Sequence, residues 1–293
     1  MVVAKDDGIR YSQVKVSLAT VKRLRSFLEN PLTKGVDIDS PETTLLRLQI
    51  IKNKRFLQSI YFEWYFNLVG YIKHLDKPVL EIGSGAGFLK ELFPSVLTSD
   101  IIFVPHVDLI CDAQNLPASY QSLGGIVMTN VLHHLSNPRQ FFSEATRCVV
   151  NGGVIAMIEP WKTPWSEYVY SKLHYEPFDS QASSWGCEPG KPLSNANNAL
   201  AWIIFQRDID QFHEEFPNWR IRNIQPMMPF VYLLSGGVSL KSLAPAWSYP
   251  FFRVIEKGLK SCQNRLAMFA MIVLEKRHTT PLIQPRREDE RNS

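Results

Sequence analysis

The sequence predicts an α/β fold around a doubly wound, mostly parallel sheet of seven strands. The first observation is that short apolar segments alternate with helical segments between about residues 77 and 160. Such alternation is typical of βαβ units and therefore of a parallel sheet. The second is that two more strand-like segments, "NWRIRNIQPM" and "RLAMFAMIVLEKR", follow later in the chain.

Composition limits the class of protein. The 293 residues are 45% hydrophobic and 20% charged, which suits one large globular domain, alone or with additions. The net charge of +4 is spread along the chain without a basic block, so we expect no nucleic-acid partner. There is no apolar leader and no stretch long enough to cross a bilayer. The four cysteines are scattered singly, so we expect a cytoplasmic protein with no metal ligands.

Residues 1–76 are predicted to form a helical extension before the sheet. The segment "DSPETT" indicates a helix start, with Asp39 as the N-cap and Pro41 in the first turn. Apolar residues then recur at helical spacing as far as Ile72. We expect the sheet domain to span residues 77–277 and a disordered tail to occupy 278–293.

The first five strands of the sheet are expected to alternate with helices along the chain. A helix should follow the first strand from about Phe88, and another, "NPRQFFSEATRCV", should follow the fourth. Inserts are predicted at about 161–200 and 227–261, with a helix at "FQRDIDQFHEEF" between them. Ligands of such sheets bind at the carboxyl ends of the strands. The first five strands are predicted in "PVLEIG", "SVLTSDI", "VDLICDA", "GGIVMTN" and "GGVIAMIEP".

The glycine-rich stretch "VLEIGSGAGFLKEL" follows the first strand. A dinucleotide fingerprint has glycine at its first, third and sixth positions, but after Gly83 and Gly85 the sixth position here is Phe88. Glu81 stands two residues before the first glycine. A carboxylate beside a pyrophosphate is repelled by roughly a few kcal/mol at protein dielectric. The turn therefore suits a cofactor that carries positive charge and no phosphate.

The stretch "LEIGSGAG" resembles the first motif of the class I S-adenosylmethionine-dependent methyltransferases, of the type 11 kind. The resemblance runs in order and spacing over about residues 77–160, and the closing strands fit that family's antiparallel finish. It implies a Rossmann-like methyltransferase fold with S-adenosylmethionine as cofactor. It also implies that Asp100, after the second strand, holds the ribose hydroxyls, and that Asp112 faces the adenine amino group.

The predicted cofactor site has a competing structural explanation at each position. The glycines could form an ordinary strand-to-helix turn, and the acids could be solvated loop residues. Asn130, at the end of the fourth strand, could cap a helix instead of binding the cofactor. The predicted cofactor-binding residues are Glu81, Gly83, Ser84, Gly85, Gly87, Asp100, Asp112, Ala113 and Asn130.

The acceptor site is predicted after the fourth and fifth strands. His133 and His134 in "TNVLHHL" are the candidate catalytic bases, and we expect one to face the site and the other not. They could equally lie in solvent or in the core. The "HYEPFD" segment with Glu176 could supply a base or form an internal polar cluster. Glu159, Trp161 and Trp165 are expected to rim the acceptor pocket, unless they only pack.

These observations predict methyl transfer to a small-molecule or lipid-like acceptor, with O-methylation as the first choice. The apolar insert could contact a membrane surface, although packing on the core is favoured. The alternative is a non-catalytic, cofactor-binding partner subunit of the same fold. A nicotinamide-dependent oxidoreductase is disfavoured by Glu81 and Phe88. The oligomeric state and the acceptor are left open.

Overall fold

A seven-stranded sheet forms the centre of the computed structural model, which describes residues 28–33, 35–37, 39–174, 176–186 and 195–278. The strand order is β3-β2-β1-β4-β5-β7-β6. All neighbours are parallel except that β7 runs antiparallel to both β5 and β6. The predicted fold is confirmed. The strands are β1 Val79–Ile82, β2 Leu97–Asp100, β3 Leu109–Ile110, β4 Leu123–Thr129, β5 Val149–Pro160, β6 Trp219–Met227 and β7 Phe269–Lys276.

Helices cover both faces of the sheet. The α-helices are α1 Pro41–Asn53, α2 Arg55–Ile72, α3 Leu89–Leu92, α4 Pro138–Cys148, α5 Pro164–Leu173, α6 Leu200–Trp202, α7 Ile209–Glu215, α8 Val231–Ser235, α9 Tyr249–Gly258 and α10 Gln263–Leu266. Short 3₁₀ turns occupy Pro31–Thr33, Leu132–His134, Ala246–Ser248 and Lys260–Cys262. The helix predicted at "FQRDIDQFHEEF" is divided, because a π-helical turn, Ile203–Arg207, precedes α7.

Two details before the sheet differ from the prediction. The N-cap of α1 is Ser40, not Asp39, because the Ser40 hydroxyl accepts the backbone N–H of Thr43 at 3.1 Å. The apolar pattern up to Ile72 also forms two helices instead of one. Lys54 separates them with non-helical backbone angles, and its ammonium donates to the carbonyls of Gly237 and Leu240. These carbonyls lie far along the chain, so local periodicity carried no sign of the break.

The two faces of the sheet bury separate apolar clusters. Successive strand residues alternate, so Leu80 and Ile82 pack with α4 and α7 while Val79 packs with α2. Trp64 of α2 is fully buried in the second cluster. Helix α2 therefore forms one layer of the sandwich. The division at residue 76 stays a prediction, and residues 1–27 and 279–293 of the predicted extension and tail lie outside the described residues.

The insert at 227–261 has two parts of different character. Met227, Met228 and Val231 are buried against the sheet, as the packing alternative predicts. Further along, Trp247 and Phe251 are exposed. Within the described ranges, no helix combines the length and the apolar character needed to span a bilayer.

Candidate functional site

A cavity of about 460 Å³ lies at the carboxyl ends of the parallel strands. One side carries residues that follow β1, β2, β3 and β4. The other carries the 3₁₀ turn Leu132–His134 and residues of the insert that follows β5. The lining includes Gly83, Asp100, Asp112, Ala113 and Asn130 on the first side and His133, His134, Tyr170, His174, Glu176 and Asn198 on the second, together with Thr44, Arg47, Tyr61, Tyr232 and Phe269.

The turn after β1 requires its glycines. Gly83 has φ of +71°, and a Cβ there would lie 2.4 Å from Cγ2 of Val131, so both the backbone and the space demand glycine. A Cβ on Gly85 would lie 2.6 Å from an Asp100 carboxylate oxygen. Of these glycines, Gly83 lines the cavity.

Glu81, Ser84, Gly85 and Gly87 do not line the cavity. They lie behind the turn and shape it. Glu81 is 3% exposed, and within the described residues its Oε2 has no hydrogen-bond partner. Burial, helped by the charge of Asp100, raises the pKa of Glu81 to about 7. A buried acceptor without a donor fits a ligand that brings an N–H group.

Asp100 ends β2 and faces the cavity. Its two carboxylate oxygens accept the backbone N–H groups of Gly85 and Ile102, each at 2.9 Å. Each oxygen keeps a further lone pair, so the carboxylate can still accept bonds from a diol. Burial raises the pKa of Asp100, and the two N–H groups oppose that rise.

Asp112 follows β3 and is half-buried in the cavity wall. Its Oδ1 accepts the backbone N–H of Gln114 at 2.8 Å, which closes an Asx turn. The neighbouring Ala113 is buried and offers a small apolar surface beside the carboxylate. Together they place a carboxylate and a small apolar side chain in the cavity wall.

Asn130 has left-handed backbone geometry, with φ of +57°. Its backbone N–H donates to the carbonyl of Ile158 at 2.8 Å, so the turn is tied to β5. Its Oδ1 is buried, and the described residues offer it no hydrogen-bond donor. The capping alternative is wrong, because the next turn has Val131 as its N-cap without a side-chain bond. Oδ1 of Asn130 is thus an acceptor in the cavity wall without a donor, whereas Oε2 of Glu81 lacks a donor outside the lining.

On the other side, His133 is fixed by Glu159. The Nδ1 atom of His133 donates to Oε2 of Glu159 at 2.6 Å. The other oxygen of Glu159 accepts the backbone N–H groups of Val131 and Leu132, each at 2.8 Å. Glu159 is fully buried, so its carboxylate is held in one position. The Nδ1–H bond leaves the lone pair of His133 on Nε2, which faces the cavity.

The two histidines have opposite electrostatic environments. Burial alone would lower the pKa of His133, but the charge and hydrogen bond of Glu159, with Glu176, raise it above its ordinary value. Burial and the charge of His133 lower the pKa of His134 to about 4. His134 donates from Nδ1 to the carbonyl of Asn195 at 3.1 Å, so it is a neutral ring with its lone pair on Nε2.

Glu176 completes this side of the cavity. Its Oε2 lies 3.9 Å from Nε2 of His133 and accepts Nδ2 of Asn198 at 3.1 Å. Burial would raise the pKa of Glu176, but the nearby histidines His133, His174 and His134 lower it overall. The acceptor side is therefore a polar cluster in which two carboxylates lie beside histidine rings.

Comparison with known families identifies the part of the chain that contains the first five strands. Residues 80–157 match the family model described as "Methyltransferase domain", of type 11. They form a methyltransferase domain. The predicted family is confirmed over this segment, with S-adenosylmethionine as its cofactor and methyltransferase as its enzyme class. No curated protein matches the chain.

Solved structures resemble the chain only distantly. A chain of the complex between the Haloferax volcanii Trm112 methyltransferase activator and a methyltransferase is 10% identical, covers 80% of this chain and 94% of its own, and has a TM-score of 0.46. The geranyl diphosphate C-methyltransferase of Streptomyces coelicolor is 11% identical, with coverages of 75% and 80% and a TM-score of 0.44. A Thermotoga maritima S-adenosylmethionine-dependent methyltransferase is 14% identical, with coverages of 78% and 99% and a TM-score of 0.42. We draw no argument from likenesses this weak.

Three expectations about the acceptor side of the methyltransferase are wrong. Both His133 and His134 line the cavity, so the pair does not divide between the site and elsewhere. Glu159 lies behind His133 and does not rim the pocket. Trp161 is buried away from the lining, and Trp165 donates its indole N–H to the carbonyl of Pro229. The tryptophans pack, as the alternative explanation predicts.

Four further residues of the cavity were not predicted from the sequence. Arg47 and Thr44 come from α1, which lies over the glycine turn. Asn195 and Asn198 come from the insert and hold His134 and Glu176. The asparagine-rich stretch "SNANN" was the available signal, but its composition is equally typical of a loop.

Proposed function

We propose that this methyltransferase transfers a methyl group to an oxygen atom of a small-molecule or lipid-like acceptor. The observation that carries the proposal is the Glu159–His133 pair, which aims a basic nitrogen into the cavity that Asp100 and Asn130 also line. A base is required when an acceptor keeps its proton at neutral pH, as an alcohol or phenol does.

The cofactor side would hold S-adenosylmethionine through groups already in place. Asp100 would accept the ribose hydroxyls, and Asp112 would accept the adenine amino group. Asn130 Oδ1 would accept a hydrogen bond from the ammonium end, and Glu81, outside the lining, would act on that end through its charge. Bound there, S-adenosylmethionine supplies the methyl group. Alignment of donor and acceptor can contribute roughly 7–11 kcal/mol of the barrier reduction.

His133 would take the acceptor proton. Its Nε2 carries the lone pair, and Glu159 stabilises the imidazolium that forms when the proton arrives. The two backbone N–H groups on Glu159 hold that carboxylate in line with Nδ1 of His133. His134, with its lowered pKa, stays neutral and can orient the acceptor. General-base catalysis of this kind contributes about 10²–10⁴-fold.

The walls of the cavity and one surface support the proposed acceptor classes. Tyr170, Tyr232 and Phe269 give the cavity an aromatic wall beside its polar cluster, which suits a small hydroxylated molecule. A lipid-like acceptor is the second candidate, because α9 and the turn before it expose Trp247 and Phe251 together with Val254 and Ile255. Such a face suits peripheral contact with a membrane. A cytoplasmic location stays a prediction.

The test pairs calorimetry with methyl-transfer assays on phenols and aliphatic alcohols, using labelled S-adenosylmethionine. We expect binding of S-adenosylmethionine and S-adenosylhomocysteine but not NAD. Replacing His133 and His134 together by Ala should lower turnover by about 10²–10⁴-fold while cofactor affinity is unchanged. His213→Ala, on the exposed side of α7, is the control. Full turnover in the double variant would exclude either histidine as the base. Cofactor binding without transfer to any acceptor would favour the partner-subunit alternative.

A further inference from the structure

Three side chains of the acceptor side lie close enough together to share an ion. His133, His134 and Glu176 each place one nitrogen or oxygen atom within 4.8 Å of the others, and all three line the cavity. We propose that they bind a divalent transition-metal ion, with Zn²⁺ as the reference ion. No metal site was expected from the sequence, because His133, His134 and Glu176 do not form a recognisable ligand spacing along the chain. The binding itself is independent of the proposed function, and only its consequence for catalysis rests on it.

The hydrogen bonds of the histidines prepare both rings for an ion. His133 donates from Nδ1 to the carboxylate of Glu159, and His134 donates from Nδ1 to the carbonyl of Asn195. A carbonyl oxygen only accepts, so the lone pair of His134 must be on Nε2, and the same tautomer follows for His133. Metal-binding histidines in proteins typically donate their other ring N–H to a carboxylate or a backbone carbonyl. Here His133 has the carboxylate of Glu159 as this partner, and His134 has the carbonyl of Asn195.

Glu176 supplies the anionic ligand. Its Oε2 lies 3.9 Å from Nε2 of His133 and is steadied by the amide of Asn198. Two ligands that each lie about 2.1 Å from one ion are at most about 4 Å apart. The 3.9 Å separation meets that limit, and the widest separation in the cluster, within 4.8 Å, needs less than 1 Å of side-chain movement. Two histidines and one carboxylate form a ligand set that leaves a coordination position open.

The charges of the cluster also favour an ion. Glu159 and Glu176 bring two carboxylates to the two imidazole rings, and Glu159 is fully buried. A proton on His133 compensates one negative charge, whereas a divalent ion compensates both. Buried carboxylates are normally paired or coordinate metals. The open position of the ion would face the cavity, where an acceptor hydroxyl could reach it.

An ion at this place would change the role of His133 in methyl transfer. The acceptor hydroxyl would lose its proton to solvent under the influence of the ion, so His133 would hold the ion instead of taking the proton. The acceptor oxygen then forms the new O–CH₃ bond, while the electron pair of the broken S–CH₃ bond stays on the sulfur.

The experiment titrates metal-free full-length protein with Zn²⁺ by calorimetry and with Co²⁺ by visible absorption. We expect one ion per chain and a Co²⁺ spectrum of a four- or five-coordinate site. Glu176→Gln and His134→Asn should each weaken binding by about 100-fold or more, and Glu159→Gln, which disturbs only an outer partner, by about 10–100-fold. His213→Asn and Glu214→Gln, both exposed on α7, should bind the ion as the unaltered protein does.

Absence of ion binding, or equal binding by Glu176→Gln, His134→Asn and the unaltered protein, would overturn the inference. Thermal unfolding of each variant checks that it is folded, and the half-buried Glu176→Gln keeps the shape of its side chain. The protein could bind no ion and yet transfer methyl groups at a rate that a chelator does not change. That result would refute the proposed metal site and leave the proposed function intact. One bound ion without methyl transfer would retain the metal and refute the proposed function.

Discussion

The two halves of the cavity are assembled over different distances along the chain. On the cofactor side, Asp100 bonds to a backbone group 15 residues away, and Asp112 to one only 2 residues away. On the acceptor side, His133 bonds to a residue 26 positions away and His134 to one 61 positions away. A methyltransferase motif therefore specifies the cofactor side nearly alone, whereas the acceptor side exists only after the insert has folded onto the sheet.

The two halves also differ in charge balance. Burial raises the pKa values of Glu81 and Asp100, and within the described residues no Lys or Arg side chain is hydrogen-bonded to either carboxylate. The nearby histidines lower the pKa of Glu176 on the acceptor side. The acids of the predicted cofactor side thus lack a bonded basic side chain, whereas the acids of the acceptor side lie beside histidines. Three substitutions test this difference.

The largest effect is expected from Glu159→Gln. The amide would present an N–H₂ group to His133 or to the two backbone N–H groups, so the lone pair of His133 would no longer be held towards the cavity. We expect the catalytic rate to fall by about 10²–10⁴-fold with unchanged affinity for S-adenosylmethionine. Steady-state kinetics and calorimetry measure the two quantities.

Glu256→Gln is the matched control for that variant. Glu256 is also buried and also accepts two consecutive backbone N–H groups, those of Phe230 and Val231. It should lower stability to a similar extent, by about 1–3 kcal/mol, but leave the rate unchanged. Equal losses of catalytic rate in both variants would mean that Glu159 acts only through folding. The proposed difference between the cofactor side and the acceptor side of the cavity would then disappear.

A smaller effect, on cofactor affinity instead of the catalytic rate, is expected from Asp100→Asn. One oxygen becomes a donor, so the residue can no longer accept both ribose hydroxyls and both backbone N–H groups. Affinity for S-adenosylmethionine should fall by roughly 1–3 kcal/mol, with the rate at saturating cofactor maintained. Asp108→Asn, which alters a cap on Thr98 at the start of β2, is the control. A variant that binds the cofactor normally would remove Asp100 from the site.

The third effect, on stability without cofactor, is expected from Glu81→Gln and depends on pH. Because the folded pKa of Glu81 is raised from 4.5 to about 7, the folded protein holds this proton more tightly than the unfolded chain. Stability without cofactor should therefore fall as pH rises from 4.5 to 7, by on the order of 3 kcal/mol, and the variant should lack that fall. Denaturant unfolding between pH 4.5 and 8 measures it.

Cofactor binding should show the reverse pH dependence. A cationic ligand favours the ionised carboxylate, so affinity should rise as pH rises through about 7 in the unaltered protein and stay level in Glu81→Gln. Identical pH profiles for the two proteins would show that Glu81 does not sense the cofactor.

The sequence was sufficient for the sheet and for five residues that line the cavity, Gly83, Asp100, Asp112, Ala113 and Asn130. The strands ended where apolar runs met Gly83, Asp100 and Asn130, because strand ends and polar ligands coincide in a parallel sheet. It was not sufficient for the acceptor side. Whether His133 faces the cavity depends on Glu159 and on two backbone N–H groups, and no periodicity encodes that tertiary arrangement. For the same reason Lys54 interrupted an apolar pattern that predicted one continuous helix.

The contact between Gly83 and Val131 has a consequence for altering this enzyme. Val131 occupies the space where a side chain on Gly83 would stand, and it lines the cavity where the two halves meet. Truncating Val131 would enlarge the cavity beside Gly83 without removing a charged side chain. Under the proposed function, a smaller side chain at position 131 would make room for a transferred group bulkier than methyl.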